Sequence, residues 1–85
     1  MTSYRWIVTH DPADMGAVGL EGPRGADPSI QCVQRFRIYD SDGIFLYEGL
    51  IGGEYEGFEP LDDFGTPNIG STSIYYENDG VWEEL

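Results

Sequence analysis

The chain contains no lysine, and no basic side chain of any kind follows Arg37. Residues 44–85 carry ten carboxylates and a formal charge of −10, whereas residues 1–43 hold all four arginines and a formal charge of −2. The whole chain therefore has a formal net charge of −12. Self-repulsion on this scale lowers stability, and a protein that keeps it usually gains solubility, a basic partner, or both. Direct nucleic-acid binding is not expected, because it needs several Lys or Arg contacts to phosphates.

Cysteine and long apolar runs are also scarce. The single cysteine, Cys32, excludes an internal disulfide and any multi-cysteine zinc or iron–sulfur site within one chain. The segment Met1–Thr9 lacks the apolar stretch of a signal peptide, and no run approaches the ~18 apolar residues that a transmembrane helix needs. An acidic surface is also repelled by anionic lipid headgroups. We therefore expect a cytoplasmic protein that binds no membrane.

What is abundant is aromatic side chains. Aromatics make up 14% of the chain, and each large ring buries roughly 150–250 Å². That content supports a small core despite a hydrophobic fraction of only 40% and argues against disorder. We expect residues 1–85 to fold as a single domain.

The clearest pattern is a hairpin formed by Arg35–Tyr39 and Ile44–Ile51 around the turn Ser41-Asp42-Gly43. If Asp42-Gly43 is a two-residue loop, paired residues have numbers that sum to 85, and Arg37 opposes Glu48. An opposite-charge pair across two strands is stabilising. The same register groups four large apolar residues on the other face, namely Phe36, Ile38, Phe45 and Tyr47.

A second hairpin is predicted from Ser71–Glu77 and Val81–Leu85, and two turn lengths fit it. A two-residue Asp79-Gly80 loop puts Trp82 on the face of Glu77 and Glu84. A three-residue loop with Gly80 in the left-handed conformation puts Trp82 opposite Tyr76. We favour the three-residue loop, which brings Trp82 to the apolar face.

These elements predict a mainly β fold, α+β at most: a small antiparallel meander or partly open barrel of about four or five strands. Tyr4–Val8 alternates large apolar residues with others and supplies the first strand. The glycine-rich stretch 16–25 has the collagen period but too few triplets, so it is expected to be a loop. One or two short helical turns are expected, with candidates after Asp11-Pro12, across Pro28–Gln34 with Ile30 and Val33 inward, and over Glu59–Phe64.

Six stretches that cover most of the chain carry a family resemblance. They are Tyr4-Arg5-Trp6-Ile7, Gly22-Pro23-Arg24-Gly25, Arg35-Phe36-Arg37-Ile38-Tyr39-Asp40, Asp42-Gly43, Phe58-Glu59-Pro60-Leu61-Asp62-Asp63-Phe64-Gly65 and Tyr75–Leu85. On these residues the chain resembles a group of small bacterial and phage-associated proteins of unassigned function, which implies no activity. In size and acidity it is also similar to phage anti-CRISPR proteins and other DNA-mimic inhibitors.

Two groups of carboxylates are candidates for metal or acid–base sites. The stretch from Asp40 has its glycine at the fourth position and Ile51 at the twelfth, where a calcium loop needs a sixth-position glycine and a glutamate. Turn chemistry explains Asp42-Gly43 without an ion. The second group, in a glycine-spaced polar loop that gives no sign of separated pKa values, is expected to be solvated. Its members are Glu56, Glu59, Asp62 and Asp63. No metal site and no cofactor are predicted.

No nucleophile is predicted either. His10 and Cys32 are single residues outside any catalytic signature, and are expected to end the first strand and to fill a small apolar space, respectively. The stretch around Arg24 lacks the lysine of a phosphate-binding loop, so Arg24 is expected to pair with Glu21 or Asp27. The sequence therefore predicts no catalytic residue and no enzyme.

By elimination, we predict a non-enzymatic acidic β-domain that binds a basic nucleic-acid-binding protein or complex and blocks its nucleic-acid site, as a phage-encoded inhibitor would. Spread evenly over a surface of about 5,000 Å², the net charge is roughly fourfold more dilute than on duplex DNA. Mimicry therefore requires the carboxylates of the C-terminal half to gather on one face.

The alternative is a housekeeping protein–protein module that uses exposed aromatics as anchors, with acidity serving only solubility. Its anchors would be Tyr55, Tyr75 and Phe58. The predicted partner-binding residues are Glu54, Tyr55, Glu56, Phe58, Glu59, Asp62, Asp63, Glu77, Asp79, Glu83 and Glu84.

Overall fold

The computed structural model describes residues 3–12, 14, 16–65 and 73–85. These residues form one open antiparallel sheet of six strands, in the order β2-β1-β4-β3-β5-β6. The strands are β1 Tyr4–His10, β2 Glu21–Gly22, β3 Gln34–Tyr39, β4 Phe45–Gly53, β5 Ser73–Asn78 and β6 Val81–Glu84. The mainly antiparallel β prediction is confirmed, and the very short β2 is the strand that the sequence does not reveal.

The first strand alternates as its sequence predicts, with Trp6 and Val8 buried on one face of the sheet. The glycine-rich stretch folds back as a loop along β1, where the Gly19 amide donates to the Val8 carbonyl at 2.9 Å. Gly22 of β2 opposes Trp6, and a Cβ at Gly22 would lie 2.3 Å from the indole ring. Only glycine therefore lets this edge approach the tryptophan.

The predicted register of β3 and β4 is confirmed from Gln34 to Ile38, and Arg37 opposes Glu48. The turn itself is built differently from a two-residue loop. The Asp40 carboxylate accepts the amides of Asp42 and Ile44, both at 2.9 Å.

A register shift follows this turn, so that Tyr39 opposes Phe45. The extra residue in β4 turns Phe45 onto the face of Arg37, whose guanidinium lies 4.9 Å from the Phe45 ring centroid. The prediction that Phe45 shares the core face with Tyr47 is wrong, because a bulge reverses side-chain direction beyond it.

The predicted three-residue turn of the last hairpin is also wrong. Asp79 and Gly80 have φ values of 54° and 83°, the left-handed pair that a two-residue type I′ loop requires. Trp82 consequently opposes Glu77 rather than Tyr76. Ser71 and Thr72, which we assigned to this hairpin, lie outside the described residues.

The core lies between the sheet and the segment that follows β4. Phe64 packs its ring 5.6 Å from that of Trp6 and 5.1 Å from that of Tyr47, measured between centroids. The Tyr76 hydroxyl donates to the Gly57 carbonyl at 2.7 Å. A π-helical turn at Leu61–Gly65 confirms the helical turn expected over Glu59–Phe64. The buried apolar residues are Trp6, Val8, Ala17, Phe36, Ile38, Tyr47, Ile51, Leu61, Phe64, Ile74 and Tyr76.

The other two candidate positions for a helical turn are wrong. Asp14 has a φ of 54°, which no right-handed helix allows, and its amide closes a tight turn on the Asp11 carbonyl at 3.0 Å. Ala13 and Met15 lie outside the described residues. Across Pro28–Gln34 the chain makes a turn and an irregular stretch instead, and Val33 is 75% exposed. There the Asp27 carboxylate accepts a hydrogen bond from the Ser29 amide at 2.9 Å, which closes a local turn that does not continue into a helix.

Candidate functional site

The sheet places arginine-paired carboxylates and the carboxylates of the segment after β4 on different sides. Alternation along a strand sends successive side chains to opposite faces, so Arg35 and Arg37 lie opposite the buried Phe36. The register places Glu48 across from Arg37, and the two-residue turn adds Trp82 opposite Glu77. We call this side the arginine face and define it by Arg35, Arg37, Glu48, Glu77 and Trp82.

Glu48 is the centre of the arginine face. It is only 6% exposed, and its Oε1 accepts a hydrogen bond from Arg37 Nε at 2.8 Å. Its Oε2 accepts from Arg35 Nη2 at 3.2 Å and lies 3.4 Å from His10 Nδ1. Burial raises the pKa of Glu48, but the hydrogen bonds from Arg37 and Arg35 outweigh it, so the net pKa lies below its ordinary value.

Trp82 covers the two guanidinium groups. The Arg37 guanidinium lies 4.1 Å from the Trp82 ring centroid and that of Arg35 lies 5.2 Å from it. Arg35 Nη1 also lies 3.6 Å from Glu77 Oε1. Planar guanidinium groups suit this combination of carboxylate pairing and aromatic stacking. The two arginines are thus engaged within the protein.

Three other residues discussed in the sequence analysis, Glu21, Cys32 and His10, do not have the partners considered there. Glu21 accepts hydrogen bonds from Arg5, since β2 lies beside β1, and no ion pair to Arg24 occurs among the described residues. The Cys32 thiol donates to the Arg5 carbonyl at 3.2 Å, and burial raises its pKa. His10 lies at the far end of β1 from Arg5, about 17 Å away at strand spacing. A catalytic dyad of His10 and Cys32 therefore does not form.

A pocket of about 620 Å³ opens beside the arginine face. Its size falls within the range of small-molecule sites. The charged groups on its wall include Arg35, Arg37 and Glu48, which are paired with one another as described above. The lining residues are Thr9, His10, Asp11, Pro12, Val18, Arg35, Arg37, Phe45 and Glu48.

The opposite side is formed by the chain that covers the core, together with the nearer face of β6. We call it the cover face. Its carboxylates and single exposed aromatic are Glu54, Glu56, Phe58, Glu59, Asp62, Asp63 and Glu83. Glu83 belongs here because it opposes the buried Tyr76. None of these carboxylates makes an ion pair with another described residue.

Two cover-face carboxylates are held by neutral donors. Asp63 Oδ2 accepts from the Tyr4 hydroxyl at 2.8 Å and from Trp6 Nε1 at 3.0 Å. Burial and this hydrogen bond raise the pKa of Tyr4 to about 12. Glu59 accepts the amides of Glu56 and Gly57, both at 2.7 Å. Burial raises the pKa of Glu59, but these amides outweigh it and the net pKa lies below its ordinary value.

Of the three aromatic anchors considered, only Phe58 projects from the surface, at 48% exposure. Tyr55 is half-buried and stacks on Tyr76 with centroids 6.2 Å apart. Tyr75 is half-buried and meets the edge of Tyr39 at 5.0 Å. In the chain, Phe58 lies between Glu56 and Glu59.

The structure thus divides the predicted partner-binding set. Seven members lie in the segment that follows β4: Glu54, Tyr55, Glu56, Phe58, Glu59, Asp62 and Asp63. Glu83 joins them from β6, whereas Glu77 and Glu84 lie on the arginine face and Asp79 lies in the last turn. If the six cover-face carboxylates occupy a third of the 5005 Å² surface, they give about one charge per 280 Å², roughly threefold more dilute than on DNA.

Sequence reasoning missed Trp82 as a partner of the arginines, although the Asp79-Gly80 dipeptide is a strong signal for the turn that places it there. It also missed the bonds of Asp63 to Tyr4 and Trp6, which no local pattern indicates. Among the described residues, no group of three or more His, Cys, Asp or Glu is arranged to hold a metal ion.

Comparisons of the chain with protein-family models, curated proteins and solved structures each give no match. Within the described part of the chain, no helix has the length and apolar character needed to cross a membrane.

Proposed function

We propose that this protein is a non-enzymatic binding protein whose cover face docks on a basic surface of a nucleic-acid-handling protein and blocks that surface. The observation that carries the proposal is the separation of charge by the sheet. Glu48 and Glu77 are paired with arginines on one face. The cover-face carboxylates have no such partner among the described residues, and the exposed Phe58 lies between Glu56 and Glu59 in the chain.

An apolar ring within a charged rim is the usual anatomy of a protein-binding surface. A buried aromatic anchor supplies most of the binding energy, and the rim supplies orientation and rapid encounter. Clustered positive charge on a protein is in turn typical of surfaces that bind nucleic-acid phosphates. Occupation of such a surface by the cover face would exclude nucleic acid, which is the mode of the inhibitors that the chain resembles in size and acidity.

The charge density favours docking over imitation of a duplex. At roughly a third of the density of DNA, the cover face attracts a basic surface without reproducing a phosphate backbone. Phe58 supplies the apolar contact that a phosphate backbone lacks. The combination indicates a partner with an apolar depression bordered by Lys or Arg.

The housekeeping module stays a second candidate, because Phe58 is the kind of anchor that it requires. The half-buried Tyr55 and Tyr75 pack against other tyrosines and contribute less to that reading. The two candidates differ in what binding depends on. The module depends on Phe58 alone, whereas the proposed inhibitor depends on Phe58 and on the surrounding charge.

The test uses the intact chain as bait in extract from the cells that produce it, followed by purification of the captured partner. Its affinity is then measured at low and high salt, with and without competing oligonucleotides. We expect affinity to fall by at least about tenfold at high salt, because screened charges lose their attraction beyond a Debye length. We also expect oligonucleotides to displace the protein. Affinity independent of salt, or a partner that binds protein and oligonucleotide together, would contradict the proposal.

A further inference from the structure

The last strand of the sheet has an open edge. β6 pairs with β5 on one side, and no described residue pairs with it on the other. The Leu85 amide donates to the Ile74 carbonyl at 3.0 Å, which fixes the phase of the ladder. In an antiparallel ladder the bonded residues alternate, so Val81, Glu83 and Leu85 bond toward β5. The backbone N–H and C=O of Trp82 and Glu84 therefore point outward.

This edge is continuous with the cover face. Val81 and Leu85 lie on the same side of the ladder as Glu83 and are 57% and 50% exposed. The Leu85 side chain lies against the cover segment, since a Cβ at Gly57 would be 2.3 Å from Leu85 Cδ2. A segment added along β6 would thus contact the carboxylates next to Gly57 at the same time.

Charge decides what kind of strand the edge accepts. A second copy of this chain would set the Glu83 and Glu84 carboxylates of two edges against each other, and like charges opposite one another are destabilising. Short charged edges discourage self-association in this way. Lys or Arg opposite the same two glutamates would be favourable, so the occupant that fits is basic and extended.

We infer that, if the cover face docks as proposed, β6 receives an extended basic segment of the partner as an additional strand. The main chain of that segment bonds to the N–H and C=O groups of Trp82 and Glu84, and its Lys or Arg side chains face Glu83 and Glu84. In strand addition, main-chain bonds provide affinity and alternate side chains provide specificity. This inference rests on the proposed function and specifies how the partner is held.

The probe is a short peptide of Val residues around a central Lys-Lys pair, added to the intact protein, because adjacent residues of a strand face opposite sides, as Glu83 and Glu84 do. The matched control is the same peptide with its central amides N-methylated, which keeps the charge and removes the backbone donors. Amide hydrogen exchange is followed by NMR at Trp82 and Glu84, with the Glu83 amide as an internal reference because it faces β5. The plain peptide is expected to slow exchange at Trp82 and Glu84 by more than about tenfold, and the methylated one to leave it unchanged.

Two variants separate charge from backbone pairing. Glu84→Gln removes the charge and keeps the outward amide, whereas Glu84→Pro removes both. We expect E84P to weaken the plain peptide further than E84Q, with Glu83 exchange showing that the hairpin is intact. Equal binding of the two peptides, or binding of neither, would overturn the inference. Equal binding of the two peptides would not contradict the proposed docking. The docking is contradicted separately, if the affinity for the captured partner does not depend on salt.

Discussion

The arginine face and the cover face treat the same kind of side chain in opposite ways. On the arginine face Glu48 is almost fully buried and is bonded to two guanidinium groups that stack against Trp82. On the cover face Asp62 is exposed, and Asp63 is held by neutral hydroxyl and indole donors. A carboxylate is buried only where cations compensate its desolvation, and elsewhere its charge remains available to a partner.

The comparison also explains how a chain with so few cations keeps a folded sheet. Arg35 and Arg37 are concentrated where a carboxylate must be buried. The cover face instead uses backbone amides and the side chains of Tyr4 and Trp6, which bond to carboxylates without neutralising them. The six cover-face carboxylates therefore account for half of the formal net charge of −12.

The largest expected effect comes from breaking the buried pair on the arginine face. Glu48→Ala leaves two guanidinium groups without their carboxylate, and we expect a loss of about 3 kcal/mol in the free energy of unfolding. Glu84→Ala, an exposed change on the same face, is the control, with an expected loss below about 0.5 kcal/mol. Urea denaturation measures both. Equal losses for the two variants would show that Glu48 has no special role.

The stacking of Trp82 is expected to contribute less. Trp82→Ala removes the ring beside Arg35 and Arg37, and a loss of about 1–2 kcal/mol is expected from two partly exposed cation–π contacts. Val81→Ala, on the opposite side of the same strand, should change stability little. A double-mutant cycle with Arg37→Gln measures the coupling directly. A coupling energy of zero would mean that the contact is incidental.

On the cover face, Asp63→Asn is expected to act through its neutral donors. It should lower stability by about 1 kcal/mol and bring the pKa of Tyr4 down from about 12 toward its ordinary value of 10.0. In the unmutated protein, Tyr4 loses its proton at a lower pH in the unfolded state than in the folded state. The free energy of unfolding therefore falls as pH rises from about 10 to about 12. The variant should show a shallower fall. Alkaline titration of tyrosine absorbance, with Asp62→Asn as control, decides the matter.

The smallest effect is expected at acid pH from Glu59. Its pKa is lowered in the folded protein, so its contribution is complete above its ordinary value of 4.5 and is lost as pH falls below that. Glu59→Gln should reduce the loss in the free energy of unfolding at acid pH by a few tenths of a kcal/mol at most. Glu48→Gln should flatten the same limb more, because the pKa of Glu48 is lowered by two arginines. An unchanged acid limb in both variants would contradict the assignment.

The sequence predicted the pairing of Arg37 with Glu48 because one register satisfied both charge and burial. It did not predict the position of Phe45, since a bulge adds one residue that no local pattern announces. It misplaced Trp82 because burial of a large ring was preferred over the turn chemistry of Asp79-Gly80. The arginines that stack on that ring belong to β3, and their position beside Trp82 could not be known from the sequence of the last hairpin.

The candidate site was predicted in part for the same reason. Carboxylates close together in the chain, such as those of Glu56 and Asp62, lie in one segment that covers the core, and their closeness in the chain is enough to indicate this. Those of the last hairpin were not, because a change of one residue in turn length exchanges the faces of a strand. The bonds of Asp63 to Tyr4 and Trp6 join residues 59 and 57 positions apart and depend on the docking of the whole cover segment.

The most direct test of the central claim compares two exposed aspartates of equal charge. Asp62→Lys on the cover face and Asp42→Lys in the β3–β4 turn each add two charges, so both variants go from a formal net charge of −12 to −10. Affinity for the purified partner is measured at low salt. We expect a loss of about tenfold or more for D62K and less than about twofold for D42K. Equal losses would mean that only total charge matters, and the cover face would then have no claim to be the docking surface.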